Sequence, residues 1–330
     1  MKTNEIKISV AIPVYNTDPK LVERCLKSVK NQTSAPLETL LINDGSDKDH
    51  TTSYTALTKK YSAILHTQKN AGVDAARHTA AKIAKGDFIL YIDSDDYLAK
   101  DYIEKMAAAQ KRDNADIVMR SKVRIENGKE YKDTIPDIGP HSLDDIVTDL
   151  IINNHIYSCI GVMFRKSFAR KAPEGTGMKM GEDTLFLYAA CKDAVITNAS
   201  GAYYYYVIHD TNTTHVGYTS DKLKKHLEDN LTLYRYIRDD YPELDRVIDT
   251  ALTSKAYDTL SFAMQAPKFR YRDYKALCQH MSQEINYCSD SVNIASFSRI
   301  KKIGIKLLAK HHYYASYRLN RFKDFLKKHR

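Results

Sequence analysis

The chain has 330 residues, room for one large domain or two, and 43% of them are hydrophobic against 28% charged at a mean hydropathy of −0.48. No apolar run approaches the roughly 20 residues a membrane-spanning helix needs, which argues against a membrane-embedded helical protein. The net charge of +9 sits at one end: residues 296–330 hold eleven Lys/Arg and one acid, +10, so the first 295 residues sum to −1. Any partner chosen by charge is therefore a partner of the tail. Five scattered cysteines (Cys25, Cys159, Cys191, Cys278, Cys288) contain no C-x-x-C pair, which points to reduced thiols in a cytoplasmic protein and away from zinc or disulfides. Met1–Glu5 runs straight into a strand pattern, so no signal peptide is expected.

In chain order, Ile6–Val14 is apolar and β-branched and ends at Pro13-Val14-Tyr15-Asn16. Lys20–Lys30 carries Leu21, Val22, Cys25, Leu26 and Val29 at helical spacing. Leu37–Ile42 reads as a second buried strand, closed by Asn43-Asp44-Gly45-Ser46. A helix over Thr51–Tyr61, a short strand over Ala63–Thr67, an Ala-rich helix over Val73–Ala84 and a strand over Asp87–Ile92 follow. This alternation predicts an α/β fold: a mostly parallel sheet with helices on both faces. Ligands in such sheets bind beyond the carboxyl ends of the strands, near a topological switch point. Beyond lie a helix over Tyr102–Gln110, a strand pair around Asn127-Gly128, a helix over Ser142–Asn153 and a strand over Cys159–Phe164. A Gly-rich loop (Gly175, Gly177, Gly181), the helix Asp183–Cys191 and a strand through Tyr203–Tyr206 complete this part. From about Ser220 the pattern is helical throughout, which divides the chain into an α/β region 1–217 and a helical region 218–330.

The acids gather at strand ends. Asp93-Ser94-Asp95-Asp96 closes the apolar run Phe88–Ile92. Carboxylates so crowded repel one another unless a divalent cation reverses the balance. Mg²⁺ or Mn²⁺ typically takes one or two of them and fills its other positions with water and substrate phosphate oxygens. The plainer reading is a solvated turn, with Asp96 capping the helix that follows. Asp44-Gly45-Ser46 reads either as a turn or as a carboxylate facing a base or ribose. Asn70-Ala71-Gly72-Val73 with Arg77 one turn on suits an anion, or is a capped surface helix with a solvated Arg. Glu182-Asp183 at a helix start is explained by capping alone, or supplies a general base. His209 and His215 flank a polar loop, and His215 counts as a metal ligand only if that loop folds over the acids.

Strand-P-V-Y-N, strand-N-D-G-S, N-x-G-V-x-x-A-R, G-D-F-x-x-x-x-D-S-D-D and G-E-D occur in this order over residues 6–210. Together they resemble the inverting family 2 glycosyltransferases of GT-A fold, in particular those building bacterial cell-surface polysaccharide or teichoic acid. The resemblance implies an enzyme that binds a nucleotide-diphosphate sugar, a UDP-sugar above all. Pro13, Val14, Tyr15 and Asn16 would line the nucleotide pocket. Asp44 would recognise the base, Arg77 would contact the donor, and Asn70 and Gly72 would shape that loop. Asp93 and Ser94 would touch ribose or sugar, while Asp95, with Asp93 and His215, would hold Mn²⁺ or Mg²⁺. Asp183 would be the catalytic base and Glu182 its neighbour on the acceptor side. The acceptor would be a hydroxyl of a cell-surface glycan, teichoic acid or lipid-linked glycan. The chain departs from the family pattern at His78, at Ile160–Arg165 and at Val207-Ile208-His209, all toward the acceptor side. A nucleotidyltransferase is the alternative enzyme, disfavoured because no Gly-rich, cationic triphosphate loop follows the first strand. A catalytically idle nucleotide-sugar or membrane-binding partner subunit is the alternative of another class.

In the tail, Phe297, Ile300, Ile303 and Leu307 fall at helical spacing beside Lys301, Lys302, Lys306 and Lys310. Tyr314, Tyr317, Phe322, Phe325 and Leu326 repeat this among five further Lys/Arg. Basic amphipathic helices of this kind lie on anionic membrane surfaces, or pack within the protein with a solvated basic face. Nucleic acid finds no supporting motif. The expectation is a cytoplasmic protein, peripheral on the inner face of the plasma membrane, with self-association left open.

Overall fold

The computed structural model describes residues 6–135, 139–140, 142–143, 147, 158–178, 181–209, 220–263, 269–284 and 298–328. Most of the expected helix Ser142–Asn153, and His215, lie outside these residues. The chain forms two compact units, the first holding, among the described residues, every strand and six helices.

That unit begins with β1 (Ile8–Val14), whose seven residues are all buried. A strand apolar on both faces belongs in the middle of a covered sheet. Helix α1 (Pro19–Lys30) starts where Asp18 accepts a hydrogen bond from the Lys20 amide and Pro19 occupies the first turn. It presses Val22, Cys25, Leu26 and Val29 inward. Then come β2 (Glu38–Asn43), α2 (Lys48–Tyr61) and β3 (Ile64–Thr67). The second helix starts three residues before the expected Thr51, because Asp47 caps it by accepting from the His50 amide at 3.0 Å. Helix α3 (Val73–Ile83) and β4 (Phe88–Tyr91) follow, and then an unexpected two-residue strand, β5 (Tyr97–Leu98).

Helix α4 (Tyr102–Asp113) leads into the hairpin β6 (Ile117–Glu126) and β7 (Lys129–Asp133). Asn127 and Gly128 sit between them at φ 51° and 74°, the left-handed pair that a tight hairpin requires. The strand expected at Cys159–Phe164 is shortened to β8 (Met163–Arg165), because Gly161 at φ 74° turns the chain. Helices α5 (Lys166–Ala169) and α6 (Glu182–Ala190) precede β9 (Ile196–Val207).

All nine strands share one sheet, ordered β3-β2-β1-β4-β8-β6-β9-β5 with β7 on β6. Pairings β1–β2, β1–β4, β2–β3 and β6–β9 are parallel and the other four antiparallel. The order reverses between β1 and β4, so the switch point lies where Val14-Tyr15-Asn16 and Ile92–Asp96 leave the sheet.

The second unit is helical: α7 (Ser220–Asp240), a 3₁₀ turn (Pro242–Leu244), α8 (Asp245–Ala263), α9 (Tyr271–Glu284), α10 (Arg299–Ala309) and α11 (Tyr313–Lys328). Among the described residues no helix is long and apolar enough to cross a membrane. The four described cysteines are free and buried.

Candidate active site

At the end of β1, Pro13 and Val14 stay buried while Tyr15 is 54% exposed. Asn16, at φ 47°, lies just past the end of β1. Its amide donates to Ser46 Oγ at 3.0 Å and its Oδ1 accepts from the Asp47 amide at 3.0 Å. The ends of β1 and β2 are thereby stitched together. Asp44 is buried and accepts from Gln68 Nε2 at 2.9 Å, the Ala71 amide at 2.9 Å and the Gly72 amide at 2.8 Å. It fixes the loop that carries Asn70 and sets up Gly72, whose φ of 92° starts α3.

The acidic run is clamped from three sides. Helix α1 contributes Arg24, donating to the Asp95 carbonyl, and Cys25, whose thiol lies 3.6 Å from the Asp93 carbonyl. Thr17 Oγ1 meets Ser94 Oγ at 2.9 Å. From β9, Tyr204 accepts from the Asp93 amide at 3.2 Å and donates to Asp96 Oδ2 at 2.5 Å, and the Val207 amide donates to Asp96 Oδ1 at 2.9 Å. Asp96 is fully buried, and burial with repulsion from Asp93 and Asp95 pushes its carboxyl well above the usual range. It caps no helix. The chain after it enters β5, and Asp101 stands at the N-cap of α4.

One ligand oxygen from each of Asp93, Asp95 and Asp96 lies within 4.8 Å of the others. The set fits a hard divalent cation, though unequally. Both oxygens of Asp96 are spent on Tyr204 and Val207, whereas the Asp93 and Asp95 side chains are 34% and 25% exposed. The usable carboxylates are Asp93 and Asp95. His209 Nε2 stands 2.9 Å from Asp95 Oδ2, while His215 lies outside the described residues.

Arg77 joins the two acidic clusters. It is only 3% exposed, not the solvated surface cation of the plainer reading. Nη2 lies 4.0 Å from Asp93 Oδ1, and Nη1 lies 3.7 Å from Glu182 Oε1. These distances give charge attraction without a hydrogen bond, and Nε and Nη1 are buried with no hydrogen-bond partner among the described residues. Buried donors left open cost stability unless an anion occupies the site. Burial pushes Asp93 up to about 7 against the opposing charge of Arg77, with Asp95, Asp183 and Glu182 adding repulsion. Glu182 is raised by burial and by Asp183, again against Arg77. Carboxylates raised by burial beside an unsatisfied cation are characteristic of a functional site.

Asp183 is positioned by α6. Its Oδ1 accepts from the Thr184 amide at 2.8 Å. One turn on, Phe186 packs edge-on against Tyr91 of β4 at 5.4 Å and Phe164 of β8 at 5.7 Å. Edge-to-face rings hold a preferred geometry, so the helix start is tied to the strand that delivers the acids.

Sequence reasoning missed Tyr204, Arg24, Thr17 and the His209–Asp95 pair. No sequence signal pointed to the last, because the pairing of β5 with β9 (Tyr97 with Tyr205, Leu98 with Tyr204) is set by the tertiary fold.

Residues 9–171 match the family model described as Glycosyl transferase family 2. A poly(ribitol-phosphate) beta-glucosyltransferase of Bacillus spizizenii is 30% identical over 229 residues, 64% of this chain but 34% of the relative. The poly(ribitol-phosphate) beta-N-acetylglucosaminyltransferase TarP of Staphylococcus aureus is 30% identical over 213 residues, covering 61% of this chain and 62% of TarP. The chain thus spans about a third of the first relative's length. The crystal structure of S. aureus TarS 1–349 superposes with a TM-score of 0.69 at 19% identity, over 98% of this chain and 92% of that one. Its complex with UDP-GlcNAc gives 0.67. Motif order, the β1/β4 switch point and these matches agree: over residues 9–171 the chain matches glycosyl transferase family 2, on the fold it shares with TarS.

Proposed function

We propose that the chain is an inverting, divalent-metal-dependent transferase that moves a sugar from a nucleoside-diphosphate donor, UDP-linked, to a hydroxyl of a teichoic acid or related cell-surface or lipid-linked glycan. The observation that carries this reading is Arg77, a buried cation with open donors between Asp93 and Glu182. An anionic donor held there has its phosphates beside Arg77 and its sugar between the two acidic clusters. The acceptor class follows the two poly(ribitol-phosphate) relatives, and the UDP donor follows the TarS complex.

Asp183, held by the Thr184 amide, takes the proton from the attacking hydroxyl, which approaches the anomeric carbon opposite the leaving diphosphate. Glu182, drawn to Arg77, orients the acceptor beside that base. Arg77 meets part of the charge that grows on the leaving group. A Mn²⁺ or Mg²⁺ held by Asp95 and Asp93 would supply further Lewis-acid stabilisation of the diphosphate. Tyr15 and the Asn16 backbone line the nucleotide pocket, and Asp44 with the 70–72 loop closes the base side. Region 1–217 is catalytic and region 218–330 is helical and accessory. The protein works in the cytoplasm, at the inner face of the plasma membrane.

The test is Asp183→Asn. General-base catalysis is worth roughly 10²–10⁴-fold, so transfer from a panel of nucleotide sugars should fall by that factor while UDP binding measured calorimetrically stays unchanged. Near-normal turnover in this variant refutes the base assignment. A wild-type chain that neither binds any nucleotide sugar with Mn²⁺ nor hydrolyses one slowly refutes the transferase reading itself.

A further inference from the structure

The last two helices of the second unit expose bulky apolar side chains among their cations. In α10 the inward residues are Gly304, Ile305 and Leu308. Gly304 lies so close to Tyr257 of α8 that an added Cβ would stand 2.2 Å from its ring. Lys301 is anchored by Ser254 Oγ and Asp258 Oδ2, each at 2.7 Å. These contacts leave α10 no other rotation. In α11 the inward positions are Ser316 and Asn320, both buried and both polar. Ser316 Oγ meets Tyr274 Oη at 2.7 Å, and Asn320 donates to Tyr274 Oη at 3.1 Å and accepts from Ser261 at 3.0 Å.

What remains outside is the reverse of an ordinary surface. At 100° per residue, Arg299, Ile303, Lys306 and Lys310 fall within a narrow arc of α10, and all four are exposed. Tyr314, Arg318, Arg321 and Phe322 share a broader arc, about 100°, on α11, and all four are exposed. Ile303 is 44% exposed, Tyr314 56% and Phe322 58%. None of the five cations makes an ion pair among the described residues, and no Asp or Glu occurs from 298 to 322. The apolar side expected from Ile300, Ile303 and Leu307 is therefore not the packing face. The helix packs one stripe further round, which leaves Ile303 in solvent among the cations.

We infer that these two outward faces form a docking surface for an anionic phospholipid bilayer. Unpaired cations supply attraction to acidic headgroups, and one bulky apolar side chain on α10 and two on α11 reach the depth where headgroups meet acyl chains. The apolar tips separate this occupant from nucleic acid, whose phosphates call for cations and give an isoleucine nothing to enter. The surface stands on its own geometry, independent of the transfer reaction, and α10 and α11 lie outside the family 2 match.

The experiment is co-sedimentation of the full chain with vesicles of phosphatidylglycerol and phosphatidylcholine, against phosphatidylcholine alone. Each basic residue near an anionic surface strengthens adsorption by roughly fivefold, so Arg299→Glu, Lys306→Glu and Arg318→Glu together should weaken binding more than tenfold. Lys306→Gln with Arg318→Gln serves as a milder pair if the triple variant unfolds, and Phe322→Ser should weaken binding without altering net charge. Supporting results are binding to acidic vesicles that falls with salt, with little binding to neutral ones. No vesicle binding, equal binding to both vesicle types, or undiminished binding by the folded charge variants overturns the proposal. So does tight binding of an oligonucleotide at a salt concentration where vesicles are not bound.

Discussion

Tyr204 Oη donates to Asp96 Oδ2 at 2.5 Å while accepting from the Asp93 amide at 3.2 Å, so one phenol holds both ends of the acidic run. Its ring is confined by Gly161, where an added Cβ would stand 2.7 Å from Tyr204 Cδ2, and Arg120 lies over the ring at 5.8 Å. Tyr204→Phe keeps the ring and removes the hydroxyl. A buried carboxyl that loses its partner costs about 1–3 kcal/mol, so the thermal midpoint should fall by several degrees. UDP affinity in the presence of Mn²⁺ should fall with it, because Asp93 and Asp95 lose their fixed spacing. Unchanged metal-dependent UDP binding in a destabilised protein would make Tyr204 purely structural.

Arg77 presents a planar fork toward Asp93 and Glu182 at once. Arg77→Lys retains the charge but reaches one partner at a time. Charge-assisted hydrogen bonds contribute about 1.5–3 kcal/mol, so UDP affinity should drop at least about tenfold. Calorimetric titration of UDP reads this directly, and circular dichroism checks that the fold is kept. Equal affinity in the variant would mean that Arg77 serves packing alone.

His209 touches Asp95, one of the two carboxylates open enough to hold a cation. Residues that orient a metal-binding carboxylate typically change metal affinity by about 10–100-fold when removed. His209→Ala should therefore raise by that factor the Mn²⁺ concentration needed for half-maximal UDP binding. Restoration of full UDP affinity by excess Mn²⁺ would distinguish this from damage to the nucleotide pocket. An unchanged Mn²⁺ requirement would remove His209 from the site.

Much of the first unit is legible because β1, β2 and β4 are apolar on both faces and end in polar clusters, a pattern that needs only burial to explain it. The acids Asp93, Asp95 and Asp183 could be picked out for the same reason, each standing at the end of an element that drives into the core. Arg77 could not be placed so well. Helix α3 is Ala-rich nearly all round, so its periodicity does not say which face is covered, and only packing against the rest of the sheet buries Arg77 and His78. Tyr203–Tyr206 is equally ambiguous: four identical residues carry no alternation. The register shift between Arg120 and Ser121, with Gly201 at φ 75° on the partner strand, helps decide which tyrosine turns toward Asp96. In α11 the pattern misleads, since the aromatic residues Tyr314 and Phe322 face out and Ser316 and Asn320 face in.

His226 gives the second unit a pH dependence of its own. Burial, and then the charge of Lys255, hold its imidazole below the ordinary value of 6.5, with Asp229 opposing. Its Nδ1 is buried without a hydrogen-bond partner among the described residues. Because the folded value is depressed, the unfolded chain binds the proton more readily, and stability is lost as pH falls from about 6.5 through the folded value. Above pH 7 the ring is neutral in both states and contributes no pH dependence. Thermal unfolding of the wild type should thus show a midpoint that drops between pH 7.5 and pH 5. His226→Gln, which cannot take up the proton, should lose less over the same interval. Parallel midpoints for the two proteins across that range would show that some other group, not His226, sets the acid sensitivity of the helical unit.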